Sequence, residues 1–424
     1  MLYKLNFLNK IFNYNLLSIN LMHCLIFTYV LFLCWPLKIG NFKLFEFIAF
    51  ILVAIGFYAN FFKLNLFTLG PYLLFVLMIF LSWSVNLPLN NFSQNVESGL
   101  QSAGFYHLSR MIQLFLCFGI FYFFSSLREK NFLKKIINFY VSCLTFICTI
   151  ALIFYIISFF SQESNYFSKY YAGTIFNLPR MLTPFHPEPN PFGTFLVPSI
   201  MVAFFLNRKK SFLLQLVSLA FSFSALAILV LIITFSLYFT KKNLINGVIF
   251  LSIIFSIIFL YQPLRPVIAW KVEQLIYNAA ENSDLGGRYA GMIIAPRMYN
   301  DNPLLGIGWQ NYRYKRNNPE YLGGAKEILG SNDNPSNDYL KTLAETGIFG
   351  FISLMLIICV FMFIILKNIK INNKYSSGSS LATFAIIVAL ASTSALTFHY
   401  LWFWGGITWA LYKIESEEKL LNVL

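Results

Sequence analysis

The sequence predicts an all-α integral membrane protein of about twelve transmembrane helices, with one large loop outside the bilayer between late helices. Three observations predict this class. Of the 424 residues, 58% are hydrophobic and 11% charged, whereas a typical soluble domain carries roughly 25% charged residues to cover its water-facing surface. Apolar runs long enough for helical crossings, roughly 20 residues for a hydrocarbon core about 30 Å thick, recur from end to end. The runs are continuous instead of alternating apolar and polar, which excludes a transmembrane β-barrel.

Taken in order, the crossings fall near 17–36, 43–62, 68–87, 108–126, 136–160 and 191–207, then in a long run 211–240, then at 245–262, 347–366, 380–398 and 400–412. One helix over 211–240 would span about 45 Å, half again the hydrocarbon thickness. Two short crossings meeting near Ser222-Phe223-Ser224 are therefore expected, which brings the total to twelve. Lys4 and Lys10 resemble the n-region of a signal peptide, but no small-residue cleavage site precedes Trp35-Pro36, so the first run reads as a retained helix.

Charge sets the orientation. The formal net charge is +14, from 31 Lys+Arg against 17 Asp+Glu, and the positive-inside rule accounts for much of that excess. Starting from the cytoplasm, the alternation puts Lys63, Arg128, Lys130, Arg208-Lys209-Lys210, Lys241-Lys242, Lys367 and Lys413 inside, together with both termini. A single helix at 211–240 would turn Lys241 and Lys242 outward. No nucleic-acid motif accompanies the charge, so nucleic acid is not an expected partner.

Three regions follow: residues 1–262 with helices 1–9, short loops and an outer loop near 161–190; the 84-residue extracytoplasmic loop 263–346; and residues 347–424 with helices 10–12 and a cytoplasmic C-terminus. The Ser376-Ser377-Gly378-Ser379-Ser380 stretch reads as a cytoplasmic linker. Cys24, Cys34, Cys117, Cys143, Cys148 and Cys359 all fall in apolar runs without a CxxC pair, so they read as small buried residues and not as a disulfide framework or zinc site.

Three extramembrane stretches carry the chemistry-bearing residues. The first is Gly286-Gly287-Arg288, followed by Pro296-Arg297 and then Asn302-Pro303-Leu304-Leu305-Gly306-Ile307-Gly308-Trp309. Ser283 or Asp284 can cap a short helix there, which Pro296 should kink or end, and the Asn-Pro and Gly-Ile-Gly are turn chemistry. The second runs from Asn334 through Ser336, Asn337 and Asp338 to Glu345 and Gly350, with Ser336 or Asn337 as the natural N-cap. The third runs from Arg180 through His186-Pro187-Glu188-Pro189-Asn190 to Gly193.

Together these stretches resemble the O-antigen ligase and polymerase superfamily, multi-spanning enzymes acting on polyprenyl-diphosphate-linked glycans. The resemblance rests on Gly-Arg followed by Asn-Pro-Leu-Leu-Gly-Ile-Gly-Trp, on Asn-Asp-Tyr-Leu-x-x-Leu-x-Glu-x-Gly-x-x-Gly, and on Arg180 with the downstream Glu-Pro-Asn. Their order, spacing and large outer loop agree from about Arg110 onward. Two positions depart from it: Ser336 stands where many members, especially ligases, have His, and Ser224-Ala225 stands where many have Ser-Arg. The first departure lowers a ligase relative to a polymerase.

The resemblance implies a fold like that of the C-type glycosyltransferases. It also implies a polysaccharide polymerase of the bacterial cytoplasmic (inner) membrane that extends O-antigen or capsular polysaccharide on its extracytoplasmic side. Its partners would be an undecaprenyl-diphosphate-linked oligosaccharide, membrane lipid and a chain-length regulator protein. A ligase delivering the finished glycan to lipid A core or protein is the alternative, and a transporter or flippase the rival of another class. A diphosphate leaving group departs without a general acid when cations balance its charge, and arginine suits that task through permanent charge and bidentate donors. Arg180 and Arg288 lead as diphosphate ligands, with Arg297, Arg313 and Arg316 behind them. Glu188 and His186 lead as candidate bases for the acceptor hydroxyl, with Asp338 and Glu345 behind them, while Asn190, Ser336 and Asn337 are candidate substrate contacts. Arg110 can meet lipid phosphate or substrate. Glu46 and His399 receive no role. No cofactor or metal is expected, since no zinc-type pattern is present and isolated Asp301 and Asp338 do not make a Mg²⁺ site. Direct displacement would invert the anomeric centre.

Overall fold

The computed structural model describes residues 17–35, 37–39, 42–58, 62, 66–86, 103–160, 171–175, 178–181, 189–222, 224–242, 283–322, 335, 337–371, 373–391, 393 and 396–421. In chain order these form α1 (Leu17–Cys34), β1 (Lys38–Ile39), β2 (Phe42–Lys43), α2 (Leu44–Tyr58), α3 (Leu66–Asn86), α4 (Ala103–Ser125), α5 (Lys130–Phe160), β3 (Tyr171–Ile175), β4 (Leu178–Met181), α6 (Pro189–Phe205), α7 (Lys209–Phe221) and α8 (Ala225–Lys242). There follow α9 (Ser283–Asp301), α10 (Tyr312–Lys315), α11 (Pro319–Leu322), α12 (Asp338–Ile371), α13 (Lys374–Ala389) and α14 (His399–Leu421). Among the described residues, two short antiparallel hairpins, β1–β2 and β3–β4, accompany the helices.

Among the described residues, four helices are long and apolar enough to cross a membrane: Leu66–Asn86, Tyr106–Ser125, Lys130–Ile157 and Asp338–Ile371. Helix α3 shows the pattern lipid demands. It buries Tyr72, Phe75 and Ile79 while exposing Leu73, Leu77 and Phe80, so both of its faces are apolar and the outer one suits hydrocarbon, not water. The long run 211–240 is split as expected, α7 ending at Phe221 and α8 starting at Ala225. The expected crossing at 245–262 lies outside the described residues.

Helix α14 forms the centre of the bundle. Trp402, Phe403, Trp404, Ile407 and Leu411 are all buried, as expected of a helix apolar on every side. Paired glycines let its neighbours close in: a Cβ on Gly406 would sit 2.8 Å from the Phe121 carbonyl oxygen of α4, and one on Gly405 would sit 2.5 Å from the Phe361 ring of α12. Small residues at helix crossings are the usual means of close packing in a membrane.

The serine-rich stretch departs from its expected linker role. Ser376 to Ser380 lie inside α13 and are buried, with Gly378 against Val202 and Phe205 of α6. Ser and Gly, read as linker chemistry, here let two helices pack closely. Helix α13 accordingly starts at Lys374 and ends at Ala389, earlier than the crossing expected at 380–398. Helix α9 likewise continues through Pro296 to Asp301.

The two ends of the bundle differ in chemistry. At one end Arg128 pairs with Glu417 at 2.7 Å and Lys130 with Glu418 at 2.5 Å, and Asn138 donates to the Tyr375 hydroxyl at 3.1 Å. The charge alternation assigns these residues to a single side. At the other end the end of α3, the first turns of α4 and α12 and the residues just before α14 come together with the segment 302–311, and there the candidate site lies.

Candidate functional site

The site grows from a kink. Asn337 caps α12, its Oδ1 accepting the Tyr339 and Leu340 N–H groups at 3.0 Å each, which is the structural role open to it. Asp338, Lys341, Thr342 and Glu345 then fall on one helical face. At Gly347 the backbone adopts φ 64°, ψ −166° and the helix breaks. The break removes the intrahelical bond that the Ile348 N–H would make, and this group donates instead to Pro303 O at 2.8 Å.

The Asn-Pro-Leu-Leu-Gly-Ile-Gly-Trp turn docks into that break. The Ile307 N–H donates to Ala344 O and the Gly308 N–H to Glu345 O, each at 3.0 Å. Ser82 Oγ of α3 adds a third donor, 2.6 Å from Glu345 O, and Asn86 Nδ2 donates to Gly306 O at 3.2 Å. Gly306, at φ 70°, lies so close that a Cβ would stand 2.4 Å from the Glu345 carbonyl carbon, and one on Gly347 would stand 2.3 Å from Leu304 O. The two glycine-bearing motifs are thus halves of one joint. The buried Glu345 carboxylate finishes it, Oε1 accepting the Tyr312 N–H at 3.2 Å. Burial pushes the Tyr312 phenol well above its ordinary range against the pull of Arg316, and Glu345 adds to the rise, so the hydroxyl stays protonated.

The joint presents Trp309 and Gln310 to a cavity of about 50 Å³ lined also by Arg110, Asp338, Lys341, Thr342, Leu396, Thr397 and Phe398. Gln310 holds φ 64°, rare for a residue with a side chain. Its Oε1 accepts from Lys341 Nζ at 3.0 Å, and the same ammonium lies 6.0 Å from the Trp309 ring. The Arg110 guanidinium lies 5.1 Å from the Tyr106 ring, and Arg313 lies 4.1 Å from that ring. Lys43 sits 3.7 Å from the Phe398 ring. Asp338 ties the far wall: its Oδ2 accepts the Leu396 N–H at 2.6 Å, and its own N–H donates to Leu390 O at 2.9 Å. Cations framed by aromatic faces and a few polar donors can receive a compact anion, and a cavity of this size holds only a few waters or one such group.

Of the residues singled out from the sequence, Arg110 and Asp338 line the cavity and Asn337 caps the helix beside it. Arg297 donates to Tyr321 O at 3.0 Å and thereby ties α11 to α9; it is not among the residues lining the cavity. Arg180 is carried on β4 and Arg288 on α9, and Asn190 on α6, but their side chains lie outside the described residues, as do His186, Glu188 and Ser336. The backbone still places α9: Gly291, one turn after Arg288, lies against Pro335, beside the start of α12. Lys341 and Gln310 were not foreseen. Lys341 was legible, one turn after Asp338 in the same motif, whereas nothing in the sequence marks Gln310, which follows the glycine turn.

A helical, multi-pass membrane protein with a cationic, aromatic-walled cavity at one end of its bundle is the class this architecture defines. Residues 200–355 match the family model described as O-Antigen ligase, and this match supports the O-antigen ligase and polymerase superfamily that the motifs resemble. The matched stretch contains both halves of the glycine joint. No curated protein matches the chain.

Proposed function

We propose that this protein is a membrane glycosyltransferase that polymerises polyprenyl-diphosphate-linked oligosaccharide repeat units into O-antigen or capsular polysaccharide. The observation that carries this reading is the cavity between Arg110 and Lys341, walled by Trp309 and built on the joint of the two superfamily motifs. Arg110 and Lys341 neutralise the departing lipid diphosphate, with Arg180 and Arg288 completing the set. Balanced in this way, the leaving group needs no general acid. The incoming hydroxyl gives its proton to a carboxylate or imidazole as it attacks the anomeric carbon, with inversion and without a metal. Glu188 and His186 fit this task better than Asp338, whose Oδ2 is already committed to the Leu396 N–H.

In this reading twelve helices span the bacterial cytoplasmic membrane, residues 263–346 form the extracytoplasmic loop, and the cavity opens on that side. A chain-length regulator would act on the emerging product. A ligase is the second reading, favoured by the description of the matched family model. A deletion strain separates the two. Loss of a polymerase leaves single-repeat glycans on the surface lipid, which supports the proposal; loss of a ligase leaves none while long lipid-linked chains accumulate, which overturns it in favour of the second reading.

A further inference from the structure

Arg110 lines the cavity directly and is held there by an amide and not by a carboxylate. Its Nη1 donates to Gln113 Oε1 at 2.9 Å, and Gln113 Nε2 donates to Glu46 Oε1 at 3.0 Å. Glu46 Oε2 in turn accepts the Lys43 N–H at 3.1 Å. The last bond is half of a capping box, with Lys43 at the N-cap of α2 and Glu46 at its third helical position. Capping accounts for one carboxylate oxygen of a residue only 5% exposed. The other reaches across to α4, where Gln113 stands one turn from Arg110 on the same face.

Among the described residues the ion pairs Arg128–Glu417 and Lys130–Glu418 both lie at the opposite end of the bundle. A carboxylate in direct contact would occupy the guanidinium fork with two parallel bonds. An interposed amide takes one donor and keeps the balancing charge a side chain away, which lowers the cost of a partly buried cation without neutralising it.

We propose that Gln113 and Glu46 are positioning residues that hold Arg110 toward the cavity and keep its remaining donors available to the diphosphate of the lipid-linked substrate. This rests on the cavity being the diphosphate site. The relay gives α2 and α4 a shared function that neither motif region contains, and it explains a buried acid and a half-buried amide facing each other in helices that pack together.

The charge swap Glu46→Gln with Gln113→Glu tests it in proteoliposomes carrying a synthetic polyprenyl-diphosphate oligosaccharide at varied concentration. The swap redraws the same hydrogen-bond chain: the Gln side chain at position 46 donates to the Glu at 113, which accepts from Arg110, and still accepts the Lys43 N–H. It moves the carboxylate onto the guanidinium. The expected result is KM for the lipid-linked substrate raised at least about ten-fold, the loss of one charge-assisted hydrogen bond, with kcat lowered as well because the neutralised guanidinium no longer balances the departing diphosphate, and an unchanged melting temperature. Gln113→Met, close in shape and lacking the amide, raises KM similarly and decides the matter if the swap fails to fold. Wild-type KM in a folded swap or in Gln113→Met overturns the relay. Arg110→Ala separates the layers: lost extension there with a silent swap defeats the relay alone, whereas wild-type extension in Arg110→Ala defeats the diphosphate reading of the cavity and the relay with it.

Discussion

Replacing Gly347 by alanine should disable the site while leaving the helix bundle in the membrane. Position 347 holds φ 64° with ψ −166°, a region essentially confined to glycine that costs a residue with a Cβ roughly 1–3 kcal/mol. The new Cβ would also stand 2.3 Å from Leu304 O, so the turn 303–308 must move away. Three backbone bonds hold that turn to α12, from Ile307, Gly308 and Ile348, each worth about 1 kcal/mol net. The three bonds favour the docked turn by about 3 kcal/mol. Strain and clash together must exceed that by about 2.7 kcal/mol for the docked form to fall a hundred-fold below the undocked one, which an unrelieved Cβ–oxygen contact at 2.3 Å does. The apolar contacts of α14 with α4 and α12 are untouched, so global unfolding is not the cheaper response. Purified Gly347→Ala in detergent should therefore retain its helical circular dichroism, melt no more than several degrees early, and lose at least about a hundred-fold in glycan transfer. A Gly347→Ala protein with wild-type turnover would refute the joint as the support of the cavity.

Further outcomes follow from the same geometry. Arg110→Lys should fail nearly as badly as Arg110→Ala in turnover, because an ammonium cannot serve Gln113 and a diphosphate with a planar fork; full activity in the lysine variant removes the bidentate role. Asp338→Asn keeps an acceptor for the Leu396 N–H and should cost stability by about 1 kcal/mol with less than ten-fold loss of turnover, whereas a thousand-fold loss at unchanged melting temperature would make Asp338 the base. Arg128→Ala removes a solvent-exposed ion pair with Glu417 and should change stability by less than about 1 kcal/mol, read as a small melting shift that vanishes in high salt. Arg288→Lys should lose activity almost as fully as Arg288→Ala if its guanidinium completes the diphosphate set.

Much of the bundle was legible from apolar run length alone, because lipid imposes a fixed thickness and leaves the backbone few options. The division at Ser222-Phe223-Ser224 followed from length and charge, and α7 and α8 meet there. Where the expectation failed at Ser376 to Ser380, composition misled: the small polar residues that make a flexible linker in water also make a tight helix crossing in a bilayer. The glycine motifs were recognisable as turns, but their docking onto one another depends on a chain reversal across about forty residues that no local pattern encodes. The same limit applies to the cavity. Arg110, Gln113 and Glu46 come from two early helices and Lys341 from a late one, so only packing brings them near Trp309. Asn337 was readable as a cap from its place before α12, and it caps.

The most direct measurement of the central claim is chain extension in proteoliposomes containing only this protein and a single synthetic polyprenyl-diphosphate repeat unit. The wild-type protein should convert it into a ladder of longer lipid-linked glycans, and Arg110→Ala should leave the starting unit unextended. A wild-type protein that folds, binds the substrate and never lengthens it, or an Arg110→Ala protein that builds the same ladder, would contradict the claim.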